Sequence, residues 1–543
     1  MHGSLLKLTF IRQLLLGIIA LILSGIILRA ILPKGLWYSM HDSTHIERVE
    51  LLAESSQNGK FGSFWTTRLN SGFGYPLFHF YAPLFHTTAR TFYFVFPSVV
   101  TSLKLTLFLF SFLGIYGTML FAKRWGIAAS ILAGLTFALS PYLALDIFVR
   151  GAYAEFASLA LLPWVFYLTR RLEDKRSVTL ASIFLSLFVL SHNLIPLIAL
   201  PIIFIWMVVV NKSFRRVFQV MLLALALSAW FVLPLLFERG FVQADAVART
   251  SDFRSHFVTL SQIWNSTWGF GGSAPGLEDG ISFKLGKIQI ILAVVGVLLA
   301  VKARAGKLLL LAGFAVFLLF LATQSSRFIW EINPILQIVQ FPWRTLGVVA
   351  LLLSIFSGYA LSRLRSRVLK VVALLLVAPA LFYFNLKYFT PQETFYPTRG
   401  EGELQTEVRD IAGVIPEYAP RWWSPTERLL QSDSYIFSEA PSKLESLTVG
   451  PTTIDLSLDN STAQAVSFRA AYYPTWRATV DGVQFVPYPD SFGLVRLDIP
   501  AGIHKVNLYH TPTTLMLLSR VVSLLALLFT LISFLGKGNR ETH

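Results

Sequence analysis

The chain is 543 residues long, 54% of them hydrophobic, with a mean hydropathy of +0.60. Those values exclude a soluble single-core protein and point to a polytopic α-helical membrane protein. The net charge of +16 would suit nucleic acid, but the basic residues are dispersed over short loops, so no nucleic-acid partner is expected.

A helix crosses the hydrocarbon core with roughly 20 mainly apolar residues, because its backbone must satisfy its own hydrogen bonds there. Such runs predict about twelve transmembrane helices, near 12–33, 99–121, 126–145, 153–169, 177–192, 194–210, 217–237, 287–303, 307–322, 345–362, 368–387 and 513–535. The first is too long for a simple signal-peptide core and lacks a small-x-small cleavage site before Trp37, so it reads as an anchor. Alternate connections collect the basic residues, among them Lys7, Arg12, Lys123, Arg124, Arg170, Arg171, Arg215, Arg216, Arg363 and Lys537. Of 30 acids, only Glu173, Asp174 and Glu541 join them. The positive-inside rule then places both termini in the cytoplasm and the long segments 34–98, 238–286, 323–344 and 388–512 outside the cell membrane.

After the first span, WYSMHDSTHIE places His41, Asp42 and His45 where the chain leaves the membrane. A carboxylate there can accept a proton from an incoming hydroxyl or coordinate a cation, with His41 and His45 assisting. The structural alternative is that Asp42, Ser43 or Thr44 caps a helix, Thr44 and Glu47 forming a capping box. Ile46, Val49, Leu52 and Ala53 follow helical spacing and Gly59 offers a stop, which predicts an amphipathic helix along the membrane surface. FGYPLFHFYAPLFHTTARTFYFVFP, interrupted by Pro76 and Pro83, predicts interfacial turns that suit a lipid-linked ligand.

In DIFVRGAYAEF, Asp146, Arg150 and Glu155 surround a glycine break. Arg150 offers a planar fork for a phosphate; alternatively an acid-Arg pair simply fixes a tight hairpin. SHNLIP puts His192 at an outer turn and LPLLFERG puts Glu238 at the next outer helix end. Each is either a ligand-binding group or a structural loop residue. NPILQIVQFPWRTLG places Trp343 and Arg344 at the start of a span, where they suit an anionic head group or a sugar, although Trp343 equally suits an interfacial anchor. No Walker loop, dinucleotide fingerprint, HExxH or GxSxG motif is apparent. With no cysteines, any divalent metal would need His, carboxylate or carbonyl ligands.

Segment 388–443 has mixed character and links the membrane part, 1–387, to a C-terminal region of different periodicity. From Leu444 the period becomes two, in LTVGPTTIDLSLDN, AQAVSFRAAY, WRATVDGVQFV, LVRLDI and HKVNLYH, with turns at Asp481-Gly482 and Ala501-Gly502. This predicts a small extracytoplasmic β-sandwich over 444–512, tethered by the last helix and tail, 513–543.

HDSTHIERV, RGAYAEF, LSHN, FVLPLLFE, QFPWR and PEYAP, with YYPTWRATVDG in the sandwich, give the chain a resemblance. It resembles bacterial and archaeal membrane proteins named 6-pyruvoyl-tetrahydropterin synthase-related. There is no soluble pterin-synthase domain and no zinc histidine set, so pterin chemistry is not implied. The resemblance implies the GT-C glycosyltransferase fold, whose enzymes take sugars from polyprenyl-phosphate donors and carry an acidic residue in the first outer loop. Asp42 is the matching position, which implies a general base toward a glycan, lipid or protein acceptor. Our own reading adds Arg150 and Arg344 near the donor phosphate and Glu155 or Glu238 orienting a partner. His41-Asp42 stands where many GT-C enzymes have two acids, which leaves divalent-metal dependence open. The competing functions are a transporter or lipid-linked sugar flippase, which many spans and buried ionisable groups also suit, and a non-catalytic envelope assembly protein.

Overall fold

The computed structural model describes residues 2–33, 35–37, 39, 45–57, 65–66, 69–246, 252–395, 416–450 and 452–535. His41 and Asp42 lie outside the described residues.

Six described helices are long and apolar enough to cross a membrane: Phe10–Leu28, Val99–Trp125, Phe214–Phe237, Pro342–Ser362, Arg367–Tyr388 and Thr514–Phe534. Ile127–Ala138 and Pro141–Arg150 make a seventh if counted together, bent by 41°. Helices Tyr153–Thr169, Lys175–Ser191, Ile195–Val210, Lys287–Lys302 and Gly306–Ala322 occupy the other expected spans but are only 16 or 17 residues long. Length and composition therefore support six or seven crossings.

Burial orders the helices. Pro342–Ser362 is 94% buried over its most apolar stretch, whereas Arg367–Tyr388 is 11% buried and leaves Leu375 and Leu376 bare. Apolar surface on that scale is costly in water and costs nothing in hydrocarbon. The central helix is gripped closely. A Cβ on Gly296, in the helix Lys287–Lys302, would lie 2.3 Å from the Phe356 carbonyl oxygen. Small residues permit such backbone approach where lipid competes for apolar contact.

The helix His45–Gln57 forms as its spacing predicts, but Glu47 and Arg48 are buried together with Val49 and Leu52. It packs on the helices Leu84–Val95 and Val99–Ala122, so protein rather than a membrane surface covers it. Nearby, Leu36–Trp37 (β1) pairs antiparallel with Thr394–Phe395 (β2).

The C-terminal strands are Ile436–Phe437 (β3), Ser442–Val449 (β4), Thr453–Asn460 (β5), Gln464–Ala471 (β6), Trp476–Val480 (β7), Val483–Phe485 (β8), Tyr488–Pro489 (β9), Leu494–Ile499 (β10) and Gly502–His510 (β11). They form one sheet in the order β3-β6-β10-β9 and another in the order β4-β5-β11-β7-β8. Leu458, Trp476 and Val506 from one sheet and Val466, Phe468 and Leu497 from the other share a single core. Asp481 and Gly482, at φ 50° and 85°, close the β7–β8 hairpin, as the Asp-Gly signal predicts. This region docks on the first long loop: Ala471 N donates to Phe73 O at 2.7 Å, and the Arg469 guanidinium covers the Phe73 ring at 4.5 Å.

Candidate functional site

The site begins at the bent helix. Pro141 supplies no N–H donor where the helix restarts, and the chain then widens into one turn of π-helix over Leu145–Arg150. Gly151 ends it at φ 64°, a left-handed conformation that a Cβ disfavours, and Tyr153–Thr169 follows at once. This reversal brings Glu155 back onto Arg150.

Arg150 Nη1 donates to Asp146 Oδ1 at 2.6 Å and Nη2 to Glu155 Oε2 at 3.0 Å. Tyr142 OH donates to the other oxygen, Oε1, at 2.7 Å. Arg344 approaches from the turn Pro342–Arg344, its Nε 3.4 Å from Glu155 Oε2 and its Nη1 donating to Val339 O at 2.7 Å. All four charged groups are buried. An isolated charge here would be very costly; two guanidinium and two carboxylate groups in contact offset one another. Among the described residues, Arg344 Nη2 has no hydrogen-bond acceptor, so part of its fork is uncommitted.

Arg150, Glu155, His192, Trp343 and Arg344 line one cavity of about 530 Å³. That volume falls within the range of small-ligand sites. Trp343 is only 2% exposed: its ring lies 4.7 Å from the Arg150 guanidinium and its Nε1–H donates to Ser273 Oγ. It is thus a wall of the cavity, not an interfacial anchor. His192 Nδ1 accepts from the backbone N–H groups of Leu194 and Ile195 at 3.3 and 3.0 Å, which puts the proton of the neutral ring on Nε2. His192 therefore serves as a helix cap and a cavity residue at once.

Two expected residues sit elsewhere. His45 is behind the wall. Its Nε2–H donates to Gly151 O at 2.8 Å, its ring stacks on Tyr153 at 4.2 Å, and Trp37 Nε1–H donates to Tyr153 OH at 2.7 Å. Both ends of the stretch around Asp42 are thereby held against the glycine break. Glu238 lies outside the cavity lining, with Oε2 2.6 Å from His79 Nε2 and Oε1 accepting from the Thr513 hydroxyl. Among the described residues, no group of three or more His, Asp or Glu side chains is placed to hold a metal ion.

The cavity also contains residues that no sequence signal singled out: Tyr81, His256, Glu417 and Tyr418. Burial pushes the Glu417 carboxyl and the Tyr418 phenol upward and pulls His256 below the ordinary histidine value. PEYAP contributed to the family resemblance, but no spacing rule connects Glu417 to residues more than 200 positions earlier.

The sequence matches the model of the 6-pyruvoyl-tetrahydropterin synthase related domain, described as a membrane protein, over residues 78–388. The chain belongs to this family. A comparison with curated proteins gave no match. Among solved structures, this family member is similar to the cryo-EM structure of arabinofuranosyltransferase AftD from mycobacteria, at 16% identity and a TM-score of 0.43, covering 70% of this chain and 27% of that one. A structure of a mutant of the same protein gives 15% identity and a TM-score of 0.40 over 74% and 30% of the two chains. The chain thus spans less than a third of the length of that protein.

Proposed function

We propose that this family member is a membrane glycosyltransferase of the GT-C type, which moves a sugar from a polyprenyl-phosphate donor to an extracytoplasmic glycan, lipid or protein acceptor. The observation that carries the reading is the paired Arg150 and Arg344 beside Glu155 in the wall of one cavity, at a break between apolar helices. A leaving lipid phosphate gains negative charge as the glycosidic bond breaks, and fixed guanidinium groups stabilise it without moving a proton. In this reading Trp343 and His192 border the donor sugar and Glu155 orients both cations. The topology has twelve crossings, counting the five shorter helices, with both termini cytoplasmic and the two C-terminal sheets forming an outer sandwich.

Asp42 is assigned the base, with His41 and His45 beside it in sequence. Its carboxylate takes the proton as the acceptor O–H bond breaks. The acceptor oxygen then bonds the anomeric carbon, and the carbon–oxygen bond to the lipid phosphate breaks with its electron pair staying on the phosphate. Support for this placement is that His45, three residues along, is hydrogen-bonded to Gly151 next to Arg150.

The test is transfer from radiolabelled polyprenyl-phosphate sugars in membranes holding wild type or Asp42→Asn, with lipid-linked and glycan products resolved. We expect transfer by the wild type and a loss of about a hundredfold or more in the variant, the scale of a general base. No transfer by folded wild type across a broad donor panel overturns the reading. Donor that crosses the bilayer unchanged would assign a transporter instead.

A further inference from the structure

A second group of polar residues reaches the same cavity from the outer segment before Lys287–Lys302. WGFGGSAPGLEDG folds back on itself, Gly271 N donating to Gly280 O and Gly280 N to Gly272 O, both at 2.9 Å. A Cβ on Gly269 would lie 2.3 Å from Gly280 O, so the two arms meet at a distance only glycine allows. The loop between them carries Ser273 and Asp279.

Asp279 Oδ1 accepts from Ser273 Oγ at 3.2 Å and from Ala274 N at 2.9 Å, while Oδ2 accepts from Gln262 Nε2 at 2.7 Å. A serine hydroxyl has one hydrogen and two lone pairs. Ser273 spends its hydrogen on Asp279 and accepts from Trp343 Nε1–H at 3.3 Å, which leaves one lone pair for His256 Nδ1, 2.9 Å away. The tautomer that fits this arrangement has the His256 hydrogen on Nδ1. Its Nε2 is left as a bare acceptor, with no hydrogen-bond partner among the described residues, on a ring that lines the cavity. The Phe341 ring lies 4.6 Å from this imidazole and 4.8 Å from the Arg344 guanidinium, and all three side chains line the same cavity.

We propose that His256 is a specificity-determining residue whose Nε2 accepts a hydrogen bond from a sugar hydroxyl of a ligand anchored through its phosphate by Arg344 and Arg150. This deepens the transfer reading and rests on it for the sugar phosphate as ligand class. The groups acting on the imidazole are Asp279 through Ser273, Asp252 on the adjoining turn and Arg344 across Phe341. Burial, with Arg344 adding to it, holds His256 below the ordinary histidine value against both acids, so the ring is neutral at pH 7. Protonation removes the acceptor, and sugar-phosphate binding therefore weakens as pH falls through that lowered value.

The test uses the full chain in nanodiscs with 15N-labelled histidine, the His256 signals being assigned by their loss in His256→Gln. At pH 7.5 we expect protonated Nδ1 and unprotonated Nε2, and a shift of Nε2 on adding mannose 1-phosphate but not inorganic phosphate. Ser273→Ala should move hydrogen toward Nε2, a change that a merely structural serine would not produce. With the donor found active in the transfer assay, His256→Phe should raise KM about tenfold to a hundredfold, the effect of leaving one sugar donor unpaired, with a smaller change in kcat. The opposite tautomer, an unmoved Nε2 at saturating mannose 1-phosphate, or no binding of that probe at all would overturn the proposal. Absence of transfer by wild type together with the expected Nε2 shift would overturn the transfer reading alone.

Discussion

Glu155 Oε2 lies 3.0 Å from one guanidinium and 3.4 Å from another, so one carboxylate oxygen positions two cations. The two arginines nevertheless differ. Arg150 is committed to both Asp146 and Glu155, and removing it strands the buried Asp146 carboxylate and leaves Glu155 with Tyr142 and the longer Arg344 contact, whereas Arg344 gives Glu155 only that one longer contact. Arg150→Ala should therefore cost about 3–5 kcal/mol of stability, visible as a lowered melting temperature in detergent. Arg344→Lys should keep the fold and lose about a hundredfold in transfer, because a lysine supplies charge without the fork. Equal melting losses in the two variants would contradict this division. Arg150, Glu155, His192, Trp343 and Arg344 could be singled out as ionisable or aromatic residues at breaks in apolar runs, each with a structural alternative; that all five line one cavity is what the sequence alone did not carry. His256 and Glu417 could not be singled out, because a polar residue in a polar loop carries no such signal until folding places it beside the arginines.

The elements that present these residues depend on close helix contacts. Gly296 meets Phe356 backbone to backbone within the helix that continues from Arg344, so a shift there moves the cavity wall. Gly296→Ala should push these helices apart at a cost of about 1–3 kcal/mol, the usual range for overpacking, and should lower both the melting temperature and sugar-phosphate affinity. An unchanged melting temperature would show that the Phe356 backbone yields without strain. Hydropathy found a helix at each expected span, since an apolar run in lipid has few other outcomes. It left open whether the five short helices cross, because 16 or 17 residues reach the bilayer's thickness only marginally. The π-helical turn before Gly151 was also hidden: its extra residue per turn leaves no mark in composition, yet it sets where Arg150 points.

At the scale of the molecule, three distant parts of the chain meet at Glu238. His79 comes from the first long loop, Glu238 from the end of Phe214–Phe237, and Thr513 from the link between β11 and the last helix. The loop beside His79 is in turn bound to β6 through Phe73, so Glu238 connects the helices to the sheets from two sides. This makes Glu238 a clamp. Glu238→Ala leaves a buried imidazole and a hydroxyl without their acceptor, at a cost of about 1.5–3 kcal/mol for bonds to a charged group. The expected outcome is faster proteinase cleavage between His510 and Thr514 in nanodiscs, with helical content unchanged and a smaller loss of transfer than Arg344→Lys causes. Glu238→Gln, whose single carbonyl oxygen replaces only one of the two acceptors, should fall between the variant and wild type. Wild-type cleavage together with a transfer loss as large as that of Arg344→Lys would instead place Glu238 in contact with substrate, a role its position outside the cavity lining argues against.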